Sequence, residues 1–401
     1  MKVLMVHNRY QQRGGEDAVV DAEARLLAAN GIDVQRFDAD NDAIRGLVTK
    51  IQVSLGQFGL PTAAQSRFKS ALSEFQPDVV HVHNWFPTLS PSLFNICSRG
   101  NVPVVHTLHN YRLLCVNATL FRDGKVCEDC INTTFRTPGI IHSCYRSSAT
   151  GSAVATAGML THWSIGTWRQ SIDRFVALTE FARHKLVEGG LPADKVVVKP
   201  NFIDPDPGAG TGRGGYFLFV GRLTEEKGLR VLLECWRHGQ DLPKLKIAGT
   251  GPLENEVRAA VATMHNVEWL GARSSEEVLS LMADASALLC PSQWCEGMPR
   301  VVIESLAVGT PIIASRIGCY PEIIVNGETG SLFPTGDAIA LRSRLRDLLQ
   351  RNSLYSMRDN ARRCFQSNYT GDKNFSLLLN VYRSVLKSGK LVPSQPVPAG
   401  T

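Results

Sequence analysis

The sequence predicts two doubly wound α/β domains in tandem. Short apolar runs of strand length alternate with stretches of helical periodicity. The alternation stops over residues 204–215 (DPDPGAGTGRGG), where Gly, Pro and small polar residues read as a linker, and then starts again. A length of 401 residues suits two such domains.

Residues 2–7 (KVLMVH) read as a buried first strand. After a polar loop containing Gly14 and Gly15, Val19, Ala22, Leu26 and Ala29 recur at helical spacing, and Asn30-Gly31 ends the helix. Strands follow at 32–37, 78–83 (DVVHVH), 102–108 (VPVVHTL), 174–178 (RFVAL) and 195–199 (KVVVK). Beyond the linker they are expected at 216–220 (YFLFV), 245–248 (LKIA), 267–270, 287–290 and 311–314 (PIIA). Helical stretches between them imply parallel βαβ units. The domains are therefore expected at 1–203 and 216–370, with a helix at 373–386 and a disordered tail at 391–401.

Apolar residues make up 44% of the chain and charged residues 20%, as in a globular protein with buried cores. The net charge of +6 suits a phosphate-bearing substrate or an anionic membrane surface. It lacks the continuous basic stripe of a nucleic-acid binder, and no nucleic-acid partner is expected. Only four apolar residues separate Lys2 from His7, too few for a secretory h-region. The longest stretch without Asp, Glu, Lys or Arg, residues 147–168, is rich in Ser, Thr, Gly and Ala and reads as a buried or surface-lying helix rather than a membrane span. A cytoplasmic protein with its 10 cysteines reduced is expected.

In an open parallel sheet, ligands bind outside the carboxyl ends of the strands. Arg222 and Lys227 follow the strand at 216–220 and sit near the next helix start, where two cations beside free amides make a diphosphate site; a solvated charged turn is the plain alternative. Gly249 and Gly251, with Pro252 after them, let backbone approach a ligand, or form a tight turn. Residues 291–315 (PSQWCEGMPRVVIESLAVGTPIIAS) carry most of the signal. Glu296 lies in a loop beside amides at a helix start near Pro299, and Glu304 sits about one turn in, placed to accept from ribose hydroxyls or to pair with Arg300 at i, i+4.

These residues together resemble the retaining glycosyltransferases of the two-Rossmann (GT-B) fold, group 1, known as glycosyltransferase family 4. Glu296 and Glu304 match the family's pair of glutamates, and Gly221-Arg222-Leu223 through Lys227-Gly228 its diphosphate motif; Lys199-Pro200-Asn201, residues 248–252 and 178–181 are also of its type. The resemblance covers nearly the whole chain. It implies two Rossmann-like domains facing across a cleft, and transfer of a sugar, with retention, from a nucleotide diphosphate sugar to a glycan or lipid-linked acceptor in surface polysaccharide or glycolipid synthesis. Arg222 and Lys227 would neutralise the leaving diphosphate, Glu296 bind the donor sugar and Glu304 the ribose. The amides of Met298, Arg300 and Val301, next to Gly297, would cradle phosphate, and Gly14 and Gly15 would approach it from the other domain. His109 looks like the family's active-site histidine, while His81, His83 and His106 read as core or loop residues. No cofactor or divalent metal is implied for catalysis.

Cys115, Cys127, Cys130 and Cys144 depart from the plain family pattern. Within the loop 110–146 they have the form of a structural zinc site, although the outer spacings are irregular; an iron–sulfur cluster would use the same residues. Reduced, unrelated thiols are the alternative. Arg112, Arg122, Lys125, Arg136 and Arg146 make this loop basic, and with Trp85 and Phe86 they suggest a surface for a diphosphate lipid at an anionic membrane, peripheral on its inner face. Two rival functions are a sugar-nucleotide epimerase of the same fold and a non-catalytic, zinc-stabilised carbohydrate-binding protein. A nicotinamide-dependent oxidoreductase is disfavoured, since the loop after the first strand has no G-x-G-x-x-G.

Overall fold

Val3, Leu4, Met5 and Val6 are fully buried, so the first strand has both faces covered, as in a central parallel strand. The computed structural model describes residues 1–9, 14–41, 46–131 and 133–388. In it β1 (Lys2–Arg9) lies between β2 (Asp33–Asp40) and β3 (Val79–Asn84), and β4 (Val104–Leu108) follows. A small antiparallel hairpin, β5 (Phe121–Arg122) and β6 (Lys125–Val126), stands apart in the cysteine-rich loop. With β7 (Arg174–Ala177) and β8 (Val196–Val198) the first sheet has the order β2-β1-β3-β4-β7-β8, all parallel.

The second sheet comprises β9 (Tyr216–Val220), β10 (Lys244–Ala248), β11 (Val267–Gly271), β12 (Ala287–Cys290), β13 (Ile312–Ser315) and β14 (Gly330–Phe333). Its order is β11-β10-β9-β12-β13-β14, again parallel throughout. Two Rossmann-like doubly wound sheets are therefore present. Strand order reverses beside β1 in one sheet and beside β9 in the other, and such switch points open crevices for ligands.

Helix Gly15–Ala29 begins where the Asp17 carboxylate accepts from the Gly14 amide at 2.8 Å, and Gly31 leaves it with φ of 77°. The charge-free stretch forms helix Ala149–Ser164. The glycine-rich linker is fastened to the second domain: the amides of Gly210, Gly212 and Gly214 donate to Val308, Ala283 and Asp284 carbonyls at 2.9, 2.9 and 2.8 Å. The last described helix, Gly371–Ser388, returns to the first sheet. Its Leu378, Tyr382 and Val385 are buried among Val3, Met5, Val105 and Val176, and Tyr382 Oη lies 2.8 Å from His81 Nδ1. The expected tail at 391–401 lies outside the described residues.

Candidate active site

The carboxyl ends of the two sheets bound a cavity of about 780 Å³. Gly14, Gly15 and Asn110 line it from the first domain, and Gly221, Gly249 and Trp294 from the second. Four arginines also line it, Arg112, Arg146, Arg222 and Arg273, and among its described lining residues there is no carboxylate. A crevice with one sign of charge concentrates anions.

Glycine is required where the second domain's turns touch. Gly249 has φ of 141°, and a Cβ there would lie 1.9 Å from the Gly221 carbonyl oxygen; at Gly251, φ of 156°, it would lie 2.7 Å from that of Leu223. This contact fixes the loop that carries Arg222. The Arg222 side chain is 62% exposed and held by Glu226 at 3.5 Å, so its guanidinium is available to a ligand. Across the cleft, a Cβ on Gly15 would be 3.6 Å from Arg300 Cβ, which places the first helix start against the second domain.

Lys227 Nζ lies 2.6 Å from Glu296 Oε1, and that oxygen also accepts from Ser292 Oγ at 2.9 Å. Glu296 is buried, and Lys227 Nζ stands 5.5 Å from the Trp294 ring centre. Two residues expected in a diphosphate and sugar site thus form one charged unit. Glu304 is also buried, with Arg300 Nε 2.8 Å from its Oε1. The i, i+4 pair is therefore formed. Burial raises the Glu304 pKa despite the neighbouring Arg300.

Helix Arg300–Ala307 starts after Pro299, which caps it and is not its first residue, and Pro252 precedes helix Glu254–Thr263 by a turn; both prolines end the incoming loop. Gly297 and Met298 are engaged from the other domain: Thr179 Oγ1 donates to the Gly297 carbonyl at 3.2 Å and Asn201 Nδ2 to that of Met298 at 2.9 Å. Val301 is half-buried beside them.

His109 follows β4, and its Nε2 lies 3.0 Å from His83 Nδ1. His83 Nε2 is 3.2 Å from Glu23 Oε2, and Glu23 Oε1 is 2.8 Å from Lys199 Nζ. Burial, above all, lowers the pKa of both imidazoles. The reading of His83 as a core histidine therefore needs extension: it is buried and it also holds His109. Sequence reasoning missed this chain. The signal for it was Lys199, a buried cation directly after the apolar strand Val196–Val198.

Two expectations for the cysteine-rich loop change. Trp85 is a core residue, its ring 5.6 Å from that of Trp168, because the chain turns inward after β3. Arg136 is not on a basic surface; it is buried, and its guanidinium donates to the Leu113 carbonyl. No disulfide joins Cys115, Cys127, Cys130 or Cys144, and burial, reinforced by the other three, pushes the Cys130 thiol up to about 11. No three of these sulfurs lie within 4.8 Å of one another; among the described residues the one trio that does so is Glu23, His81 and His83, whose carboxylate already holds Lys199.

The fold and the cleft define a GT-B protein. Its two halves match two glycosyltransferase family models: "Glycosyltransferase Family 4" over residues 13–207 and "Glycosyl transferases group 1" over residues 210–364. The chain belongs with the GT-B glycosyltransferases. It is 30% identical over 189 residues to the putative colanic acid biosynthesis glycosyltransferase WcaL of Escherichia coli, 43% of this chain and 47% of that one, so the match spans about half the length of that relative. A D-inositol 3-phosphate glycosyltransferase of Corynebacterium diphtheriae is 25% identical over 84% of this chain and 82% of its own. Among solved structures, Anabaena HepE in complex with UDP superposes with a TM-score of 0.67 at 14% identity, covering 96% of this chain and 100% of that one, a likeness of fold. Among the described residues no helix is long and apolar enough to cross a membrane.

Proposed function

We propose that this chain transfers a sugar from a nucleotide diphosphate sugar to a glycan or lipid-linked acceptor, with retention of configuration, in the synthesis of a surface polysaccharide or glycolipid. The observation that carries the reading is the cleft wall of four arginines, with no carboxylate among the described lining residues, beside the Lys227–Glu296 pair. Arg222 and Lys227 stabilise the departing diphosphate, so catalysis is positioning and electrostatics. Glu296, oriented by Lys227 and Ser292, accepts from donor-sugar hydroxyls, and Glu304 from the ribose. The amides near Gly14, Gly15 and Arg300 hold phosphate, and His109 contacts the sugar. Retention is supported by the lack, among the described lining residues, of a carboxylate to act as an inverting base. The reading places the protein on the cytoplasmic side, peripheral to an anionic membrane.

The family match favours transfer over the epimerase and carbohydrate-binding alternatives. A structural zinc on Cys115, Cys127, Cys130 and Cys144 is part of the proposal, and it requires the loop to draw those sulfurs closer together. One zinc per chain by elemental analysis supports it, and none removes it. The enzymatic reading is tested by release of nucleoside diphosphate from a panel of UDP-, GDP- and ADP-sugars. Turnover with one donor, lost in Glu296→Ala and Lys227→Ala, is the expected result; no binding and no turnover with any donor would sink it.

A further inference from the structure

Beside the arginine-lined cleft lies a second cavity of about 340 Å³, within the size range of small-molecule sites. Helices Gly46–Gly56 and Ala149–Ser164 supply Val53, Val154 and Ala155 to its wall, Phe86 and Pro87 add to this apolar side, and Ser54, Gln57 and Thr150 bring polar groups to the remainder. The wall is braced: Gln57 Nε2 donates to the Pro87 carbonyl at 2.6 Å, and a Cβ on Gly158 would meet Gln57 Cβ at 2.8 Å.

The two cavities share Asn41 and Arg146. At their seam the Arg112 guanidinium, which lines the cleft, lies 4.1 Å from the ring centre of Phe86, which lines the chamber. The wall therefore changes from cationic to apolar across one stacked pair. On the outer side Ile51 and Leu55 stand at i and i+4 of helix Gly46–Gly56, and Phe58 follows in the turn after it; they are 49%, 45% and 39% exposed. Such a stripe suits the boundary between water and lipid.

We propose that this chamber holds the hydrocarbon tail of the acceptor, and that Arg112 and Arg146 hold the acceptor's diphosphate at the seam. The acceptor is then a sugar carried on a long-chain lipid diphosphate. A free glycan would use neither Val154 nor the exposed stripe, whereas a lipid diphosphate matches the anion site, the apolar chamber and the outward stripe in that order. The inference rests on the proposed transferase reading and specifies its acceptor.

The test titrates the full chain with geranylgeranyl diphosphate, isopentenyl diphosphate and geranylgeraniol by calorimetry, with donor hydrolysis measured on the same preparations. The long diphosphate is expected to bind at least tenfold more tightly than either comparator. Ala155→Trp, which fills the chamber, and Val154→Asp, which charges it, are each expected to remove the chain-length preference and leave donor hydrolysis unchanged. Equal affinity for long and short diphosphates, or a preference that survives both substitutions, overturns the chamber assignment. Geranylgeraniol binding as tightly as its diphosphate overturns the role of Arg112 and Arg146. Wild-type donor hydrolysis in either case leaves the transferase reading standing, so the two failures are separable.

Discussion

His83 Nδ1 and His109 Nε2 lie 3.0 Å apart, and their rings are stacked with centres 5.3 Å apart. Burial keeps both imidazoles neutral, so one of the two nitrogens at this contact carries hydrogen and the other does not. Glu23 decides which: its carboxylate, 3.2 Å from His83 Nε2, favours hydrogen on that nitrogen and leaves His83 Nδ1 as the acceptor. His109 then donates through Nε2 and keeps Nδ1 as a lone pair. His83→Phe should cost about 1–3 kcal/mol of stability, slow donor turnover roughly tenfold, and release His109 from its single tautomer. Nitrogen NMR of labelled histidine reads the tautomer directly, and an unchanged His109 signal would refute the role of His83.

Lys227→Ala removes the ammonium 2.6 Å from the buried Glu296 carboxylate. Donor turnover should fall about 100-fold or more, the scale for loss of a group that stabilises developing charge. Lys227→Arg should recover part of it. The check is steady-state release of nucleoside diphosphate, and a loss confined to KM would argue for ground-state binding alone.

Gly249→Ala places a methyl 1.9 Å from the Gly221 carbonyl oxygen at a φ of 141°. Both obstacles are backbone, so neither side can yield cheaply, and destabilisation of at least about 2 kcal/mol is expected. Denaturant unfolding of the variant beside Gly14→Ala provides the control, since among the described residues no non-neighbouring atom lies within 4 Å of a Cβ on Gly14.

Acid should loosen the first domain. Burial holds His81, His83 and His109 below the ordinary histidine range, and holds His106 at about 4. The unfolded chain takes protons near pH 6.5 that the folded chain refuses. Stability is therefore full above about pH 6.5 and falls as pH drops toward 4, by up to about 1.4 kcal/mol per pH unit for each such histidine. Unfolding free energies at pH 7.5, 6 and 5 check the sign; a flat profile would contradict it.

Sequence made the sheets legible wherever strands are unbroken apolar runs. The bounds of Tyr216–Val220 and Ala287–Cys290 coincide with expectation, because both strands are buried along nearly their whole length. Gly330–Phe333 escaped notice, since a glycine and a serine open it and its burial comes from tertiary packing. Asp33–Asp40 runs beyond Phe37, and its added Asp38 pairs with Arg36 on the same strand and with Arg9 on β1, the latter a pairing across elements that local patterning does not contain. The same limit applied at the site. Arg222, Lys227, Glu296 and the glycines follow strand ends, where position alone points to a ligand. Glu23, His83 and Lys199 meet only through folding, on three separate elements.

The return of helix Gly371–Ser388 to β1 bears on the order in which a ribosome can finish this molecule. Val3 and Met5 precede Leu378, Tyr382 and Val385, which pack with them alongside Val20 and Leu27, by more than 370 residues in the sequence numbering. The second domain has all its strands translated before the first can close. A nascent chain therefore carries an apolar sheet face covered only in part until that helix is made, the condition under which chaperone capture or aggregation competes with folding.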